Sequence, residues 1–86
     1  MPKPQKHDFS LELTRVIEPK EGPGVELATL EDATRLMGHM RPWRQVRPHW
    51  EYAAELVLIA ATTAEEADIE RATAQMERAL RRDNWL

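Results

Sequence analysis

Apolar and polar residues alternate one by one from Phe9 to Ile17, and the period lengthens to that of a helix at Thr29. Phe9, Leu11, Leu13 and Ile17 share one parity, with Ser10, Glu12, Thr14 and Glu18 between them. Period-two alternation is the mark of a strand with one wet face. Arg15 interrupts the apolar side, so the far end of the strand is expected to be exposed or bulged. Glu18 to Gly24 (EPKEGPG) holds two Pro and two Gly and reads as a turn. Val25-Glu26-Leu27 then makes a short return strand. The pattern predicts an antiparallel hairpin of residues 9–17 with 25–28. An isolated hairpin is marginal in water, so its apolar face must pack on the rest of the chain.

Three helices are predicted after it, over about 29–40, 48–62 and 64–82. Thr29-Leu30-Glu31-Asp32 has the form of a capping box with Asp in place of the usual Glu or Gln. Leu30, Ala33, Leu36, Met37 and Met40 continue from it as an apolar stripe. Pro42 disfavours helix at Arg41 and ends the element. Pro48 suits the first turn of the second helix. Trp50, Ala53, Ala54, Val57, Leu58 and Ala61 give that helix a wide apolar face, extended by Leu56 and Ile59, so it is expected to be the central one. Thr63-Ala64-Glu65-Glu66 reads as a further capping box that starts the third helix. Ile69, Ala72, Met76, Ala79 and Leu80 lie on one of its faces. Acids crowd its first turns and Arg78, Arg81 and Arg82 its last, both matching the helix dipole. With Asn84 left-handed, Trp85 would fold back on Leu80 in a Schellman motif. The expected core is Leu11, Leu13, Leu27, Leu36, Met37, Trp50, Val57, Leu58, Ile69, Met76 and Leu80. The fold class is α+β: an N-terminal β-hairpin packed against three α-helices. Residues 1–8 read as a flexible tail and 9–86 as a single domain.

Composition narrows the chemistry. Eighty-six residues, 42% apolar and 31% charged, make one modest globular core. Cysteine is absent, which excludes disulfides and thiolate chemistry and favours a reducing cytosol. The polar start has no signal-peptide pattern, and the longest apolar run, Leu56 to Ala61, is far too short to span a membrane. The three histidines do not have metal-ligand spacing, and a Gly-rich phosphate loop and a nucleophile elbow are both lacking. No cofactor, metal, membrane or enzymatic activity is expected.

One segment departs from this background. Arg41 to Trp50 (RPWRQVRPHW) holds three Arg, two Trp, two Pro and a His without an acid. The whole chain carries a net charge of −3, so this segment is a basic island. Arg and Trp are enriched at binding hot spots, and they also suit phosphate contact and base stacking. Pro42 and Pro48 stiffen both flanks, which lowers the entropy lost on binding. Trp50 is claimed by the apolar face of its helix, whereas Trp43 has no periodic claim. Arg41, Trp43, Arg44, Arg47 and His49 are therefore the candidate partner-binding residues. The plainer alternative leaves the rings roofing the core and the arginines solvating a loop.

The order of elements, with TLEDATRLM, RPWRQVRPHW, YAAELVLIAA and ADIERATAQMERAL in succession, resembles small domain-of-unknown-function proteins of rhizobia and related alphaproteobacteria. The resemblance covers roughly residues 9–86, and the doubled Arg-Pro and the final Trp-Leu depart from it. It implies the fold and a bacterial cytosol, and no activity or catalytic residue.

The expected function is that of a small cytosolic protein-interaction or regulatory module, one form of which is an inhibitor of a larger bacterial machine. A protein partner is favoured, and homo-oligomerisation stays open. The alternative is a nucleic-acid-contacting accessory protein that uses segment 41–50. A fallback surface is the exposed side of the hairpin, Glu12, Thr14 and Val16, where a strand edge could recruit a partner.

Overall fold

Residues 9–11 do not reach the hairpin ladder because the next helix takes their carbonyls. In the computed structural model, which describes residues 7–21 and 26–86, Leu30 N–H donates to Leu11 O at 2.9 Å and Glu31 N–H to Phe9 O at 2.8 Å. Strand β1 therefore begins at Glu12 and runs to Ile17. It pairs antiparallel with β2, Leu27–Thr29. Glu12 faces Thr29 and Ile17 faces Leu27, so the longer strand is bulged between them. The bulge turns Arg15 outward and keeps Leu13 and Ile17 buried. The first six residues of the expected tail, and the tip of the expected turn with Val25, lie outside the described residues.

Thr29 ends β2 and caps α1, Leu30–Gly38. Its hydroxyl accepts from Asp32 N–H at 3.1 Å, and Asp32 Oδ2 accepts from the N–H groups of Thr29 and Ala28. With the two carbonyls from residues 9 and 11, every donor of the first turn is satisfied. The helix stops two residues earlier than its apolar stripe suggests. Gln45 then covers its end, donating to Met37 O at 3.0 Å and Met40 O at 3.1 Å. Gln45 closes α2, Pro42–Gln45, a single turn where a bare connection was expected. Four residues are too few to show a period, but proline at the first helical position was the available sign.

The long α3, Pro48–Thr63, and α4, Glu66–Arg82, form an antiparallel helical hairpin. β1 lies against α4, and α1 against α3. The core between them includes Leu13, Ile17, Leu27, Leu30, Leu36, Met37, Met40, Trp50, Val57, Met76 and Leu80. Alanines 33, 53, 60, 61, 72 and 79 let the backbones approach closely. Two of the expected core residues are not fully enclosed. Leu11 is half-buried, and Leu58 is 47% exposed. The buried stripe of α3 is Trp50, Ala53, Val57, Ala60 and Ala61. Ala54, Leu58 and Ile59 are exposed because α1 and α4 cover only part of the helix. Leu58→Ala is consequently expected to cost under about 1 kcal/mol in dilute solution, well below the about 2–5 of an enclosed leucine. Urea denaturation measures this, and a loss above about 2 kcal/mol would put Leu58 back in the core.

The start of α4 also differs from expectation. Ala64 is left-handed, with φ 57°, and its N–H bonds Ala60 O, which terminates α3. This moves the helix start on by two residues. Thr63 therefore accepts from Glu65 N–H and donates to Asp68, and the N-cap is Glu65 without a side-chain cap. At the other end the Schellman motif is present. Asn84 has φ 60°, Trp85 N–H donates to Leu80 O at 2.8 Å, and Asn84 N–H to Arg81 O at 3.0 Å. None of the described helices is long and apolar enough to cross a membrane.

Candidate interaction surface around Trp43

Asp83 organises the basic end of the molecule. The Schellman turn fixes it at the close of α4, beside the start of α3. Its Oδ2 accepts from the Trp50 indole N–H at 2.7 Å and from Arg44 Nη1 at 2.5 Å. Its Oδ1 meets His49 Nε2 at 3.0 Å. One carboxylate thus joins three of the residues that the sequence places in or beside the basic island. Gln75 adds a bond from α4 to His49 O at 3.1 Å.

These contacts divide the candidate residues into two groups. Arg44 and His49 are turned inward to Asp83, with side chains only 23% and 15% exposed. Arg44 is also held between two indoles, its guanidinium 4.6 Å from the Trp43 ring centre and 4.5 Å from that of Trp85. They are struts of the surface rather than free contacts. Arg41, Trp43 and Arg47 stay exposed. Trp43 is 54% exposed, with Arg47 5.7 Å from its centre. The indole therefore stands on a fixed base with about half of its surface open to solvent.

The helical hairpin brings further arginines to this end. A recess of about 240 Å³ is lined by Arg47, Pro48, His49 and Arg82, so the last turn of α4 borders the 41–50 segment. Arg78 and Arg81 occupy the same exposed end of α4. Among the described residues, Arg41, Arg47, Arg78, Arg81 and Arg82 are in no ion pair. The sequence shows both clusters but gives the last three a role as dipole partners of their own helix. Only the antiparallel return of α4 joins the two clusters. Asp83 and Trp85 were missed as parts of the site, although the Schellman pattern places both near Leu80.

On the fallback surface of β1, Glu12, Thr14 and Val16 are all exposed, and α4 engages Thr14 and its neighbour Arg15. Thr14 N–H donates to Thr73 Oγ1 at 3.2 Å, its hydroxyl donates to Glu70, and Arg15 pairs with Glu70 and Glu77. Helix α4 thus bonds this edge at Thr14, and Val16 is left exposed beyond it.

The Asp83 contacts carry a pH dependence. Burial works against the charge of Asp83, but the bonds from Trp50, Arg44 and His49 outweigh it and hold the carboxyl below its ordinary 3.8. A carboxyl lowered on folding stabilises the fold above its unfolded value, and that stabilisation is lost as the pH falls through the folded value. Stability is expected to drop as the solution is acidified below about pH 4. In Asp83→Asn the drop should be shallower. Equal acid slopes in urea melts of the two proteins would exclude Asp83 as a source.

No family model, curated protein or solved structure matches the chain.

Proposed function

We propose that the protein is a small cytosolic docking module without catalytic activity, which binds an acidic protein surface through Trp43, Arg41 and Arg47. The observation that carries this reading is the half-exposed Trp43 on a base held by Arg44, Asp83 and Trp85. A fixed aromatic anchor with arginine beside it loses little entropy on binding and can bury its exposed part in a partner's recess. The unpaired arginines add long-range attraction to an acidic surface. The cysteine-free composition suits a reducing compartment. A regulatory role, such as inhibition of a larger machine, would follow from occupying the partner's own acidic face.

The five unpaired arginines also favour a second reading, in which Trp43 stacks on a base and the arginines track phosphates. One experiment separates the two. The tagged protein is recovered from extracts of its native cell with and without nuclease, beside Trp43→Ala and an Arg41→Glu, Arg47→Glu double variant of unchanged circular dichroism. A protein partner that survives nuclease and falls at least about tenfold in both variants supports docking, as expected for a hot spot. Recovery of nucleic acid that nuclease removes supports the second reading. Unimpaired capture by both variants overturns this surface.

A further inference from the structure

An apolar groove between α1 and α3 adjoins the surface around Trp43. One recess of about 250 Å³ is lined by Phe9, Thr34, Met37, Ala54, Val57 and Leu58. A second, of about 260 Å³, shares Met37 and Ala54 and continues to Gly38, Met40, Gln45 and Trp50. The two are therefore parts of one furrow along α3. Leu58 rises from one end, 47% exposed. Ala54, one turn earlier, is a low point, and a Cβ added at Gly38 would meet nothing within 4 Å. The face thus holds a projecting side chain and, one helical turn away, a recess lined by Met37, Gly38, Met40, Gln45, Trp50 and Ala54.

We infer that this groove is the interface of a two-fold homodimer, in which Leu58 of each copy enters the hole at Ala54 and Gly38 of the other. A two-fold contact requires a surface that complements itself, so that what projects and what receives lie on the same patch. With the axis passing α3 midway between Ala54 and Leu58, the two helices run antiparallel and each Leu58 faces the other copy's Ala54. The charges at the groove's ends fit the same arrangement. The end near the start of α3 carries Arg41 and Arg47, exposed and unpaired among the described residues, against one exposed acid, Glu51. The end near its close carries Asp8, whose N–H bonds Ala61 O, together with exposed Glu65 and Glu66. Counted from the axis, Arg47 lies nine residues before and Glu65 nine residues after. Antiparallel pairing sets the basic end of each copy beside the acidic end of the other, whereas parallel pairing would oppose like charges. Sixteen helical residues span about 24 Å. Two helices about 10 Å apart over this length then share a contact well under the roughly 800 Å² per copy of a standard interface. The dimer is accordingly weak, with dissociation in the micromolar range or above.

The test is sedimentation equilibrium of the whole chain at rising concentration, up to about the millimolar range that a weak contact requires. The mass should climb from 10.0 kDa toward twice that value. Leu58→Glu removes the projection and Ala54→Phe fills the hole. Each should weaken association at least about tenfold, as loss of a central anchor does. Both positions are exposed, and circular dichroism in dilute solution should match the parent in each. Trp43→Ala should associate like the parent, which keeps this inference separate from the docking surface. Parent protein that stays monomeric throughout, or a dimer that survives either groove substitution, overturns it.

Discussion

Trp50→Ala is expected to cost about 3–5 kcal/mol, the range for removing a fully packed aromatic ring. Trp50 is 1% exposed and sits where α3, α4 and the Schellman turn meet. Its ring lies 6.2 Å from that of Trp85 and 5.7 Å from that of His49, centre to centre. The substitution opens a cavity between two helices that are already close-packed through alanines, so there is little freedom to collapse into it. It also takes from Asp83 one of the three bonds that hold its charge. A domain of this length has about 4–13 kcal/mol of total stability, so the loss is between about a quarter of it and the whole. Trp50→Phe separates the two losses. It keeps most of the apolar volume and gives up only the indole N–H, and should cost distinctly less. Urea melts of all three proteins decide the matter. A cost under about 1.5 kcal/mol for Trp50→Ala would mean that the ring is replaceable packing and that Asp83 is held by Arg44 and His49 alone.

The same residue shows why parts of this fold could be read from the sequence. Trp50 lies at helical spacing with Ala53 and Val57, and that stripe is the one α3 buries. Leu58 belongs to the same run of apolar residues yet is exposed, because periodicity tells which face is apolar and not how wide its cover is. The cover depends on how many elements the chain has left to supply it, and α1, α3 and α4 leave one side of α3 open. The start of α4 departs from the sequence pattern for a different reason. Thr63 and Glu66 have capping-box spacing, but a left-handed Ala64 ends the preceding helix and no residue preference announces that conformation. At Asn84 the preference exists, and the left-handed turn was legible.

The candidate site was legible in composition and less so in arrangement. Arg41, Trp43 and Arg47 are exposed together, and for Trp43 the lack of a periodic claim was the sign. Arg44 and His49 share that composition but are bound to Asp83, more than thirty residues away in sequence. Pairings across such a separation are set by the antiparallel return of α4, which no local pattern encodes. The union of Arg78, Arg81 and Arg82 with the 41–50 segment has the same origin.

Removal of Trp85 and Leu86 tests whether that arrangement depends on the final turn. The expected result is a loss of about 2–3 kcal/mol, from two partly buried apolar side chains and their backbone bonds. Trp85 N–H closes the Schellman motif on Leu80 O, and Trp85 O accepts from Lys20 N–H at 2.8 Å, just after β1. Its ring packs on Trp50 and supports the Arg44 guanidinium from the side opposite Trp43. Leu86 packs against the same core. For a domain of this size each kcal/mol is worth about 4–8 °C, so the melting temperature should fall by roughly 8–24 °C. Trp85→Ala with Leu86 retained should give more than half of the effect, since it removes the ring and keeps the backbone bonds. Fluorescence quenching of Trp43 reports on the surface itself. Once Arg44 loses one of its two indoles, the Trp43 ring should become more mobile and more accessible to a neutral quencher such as acrylamide. A truncated chain with the parent's melting temperature and quenching would show that α4 and Asp83 position Arg44 unaided, and that the final turn is only an ornament of the helix end.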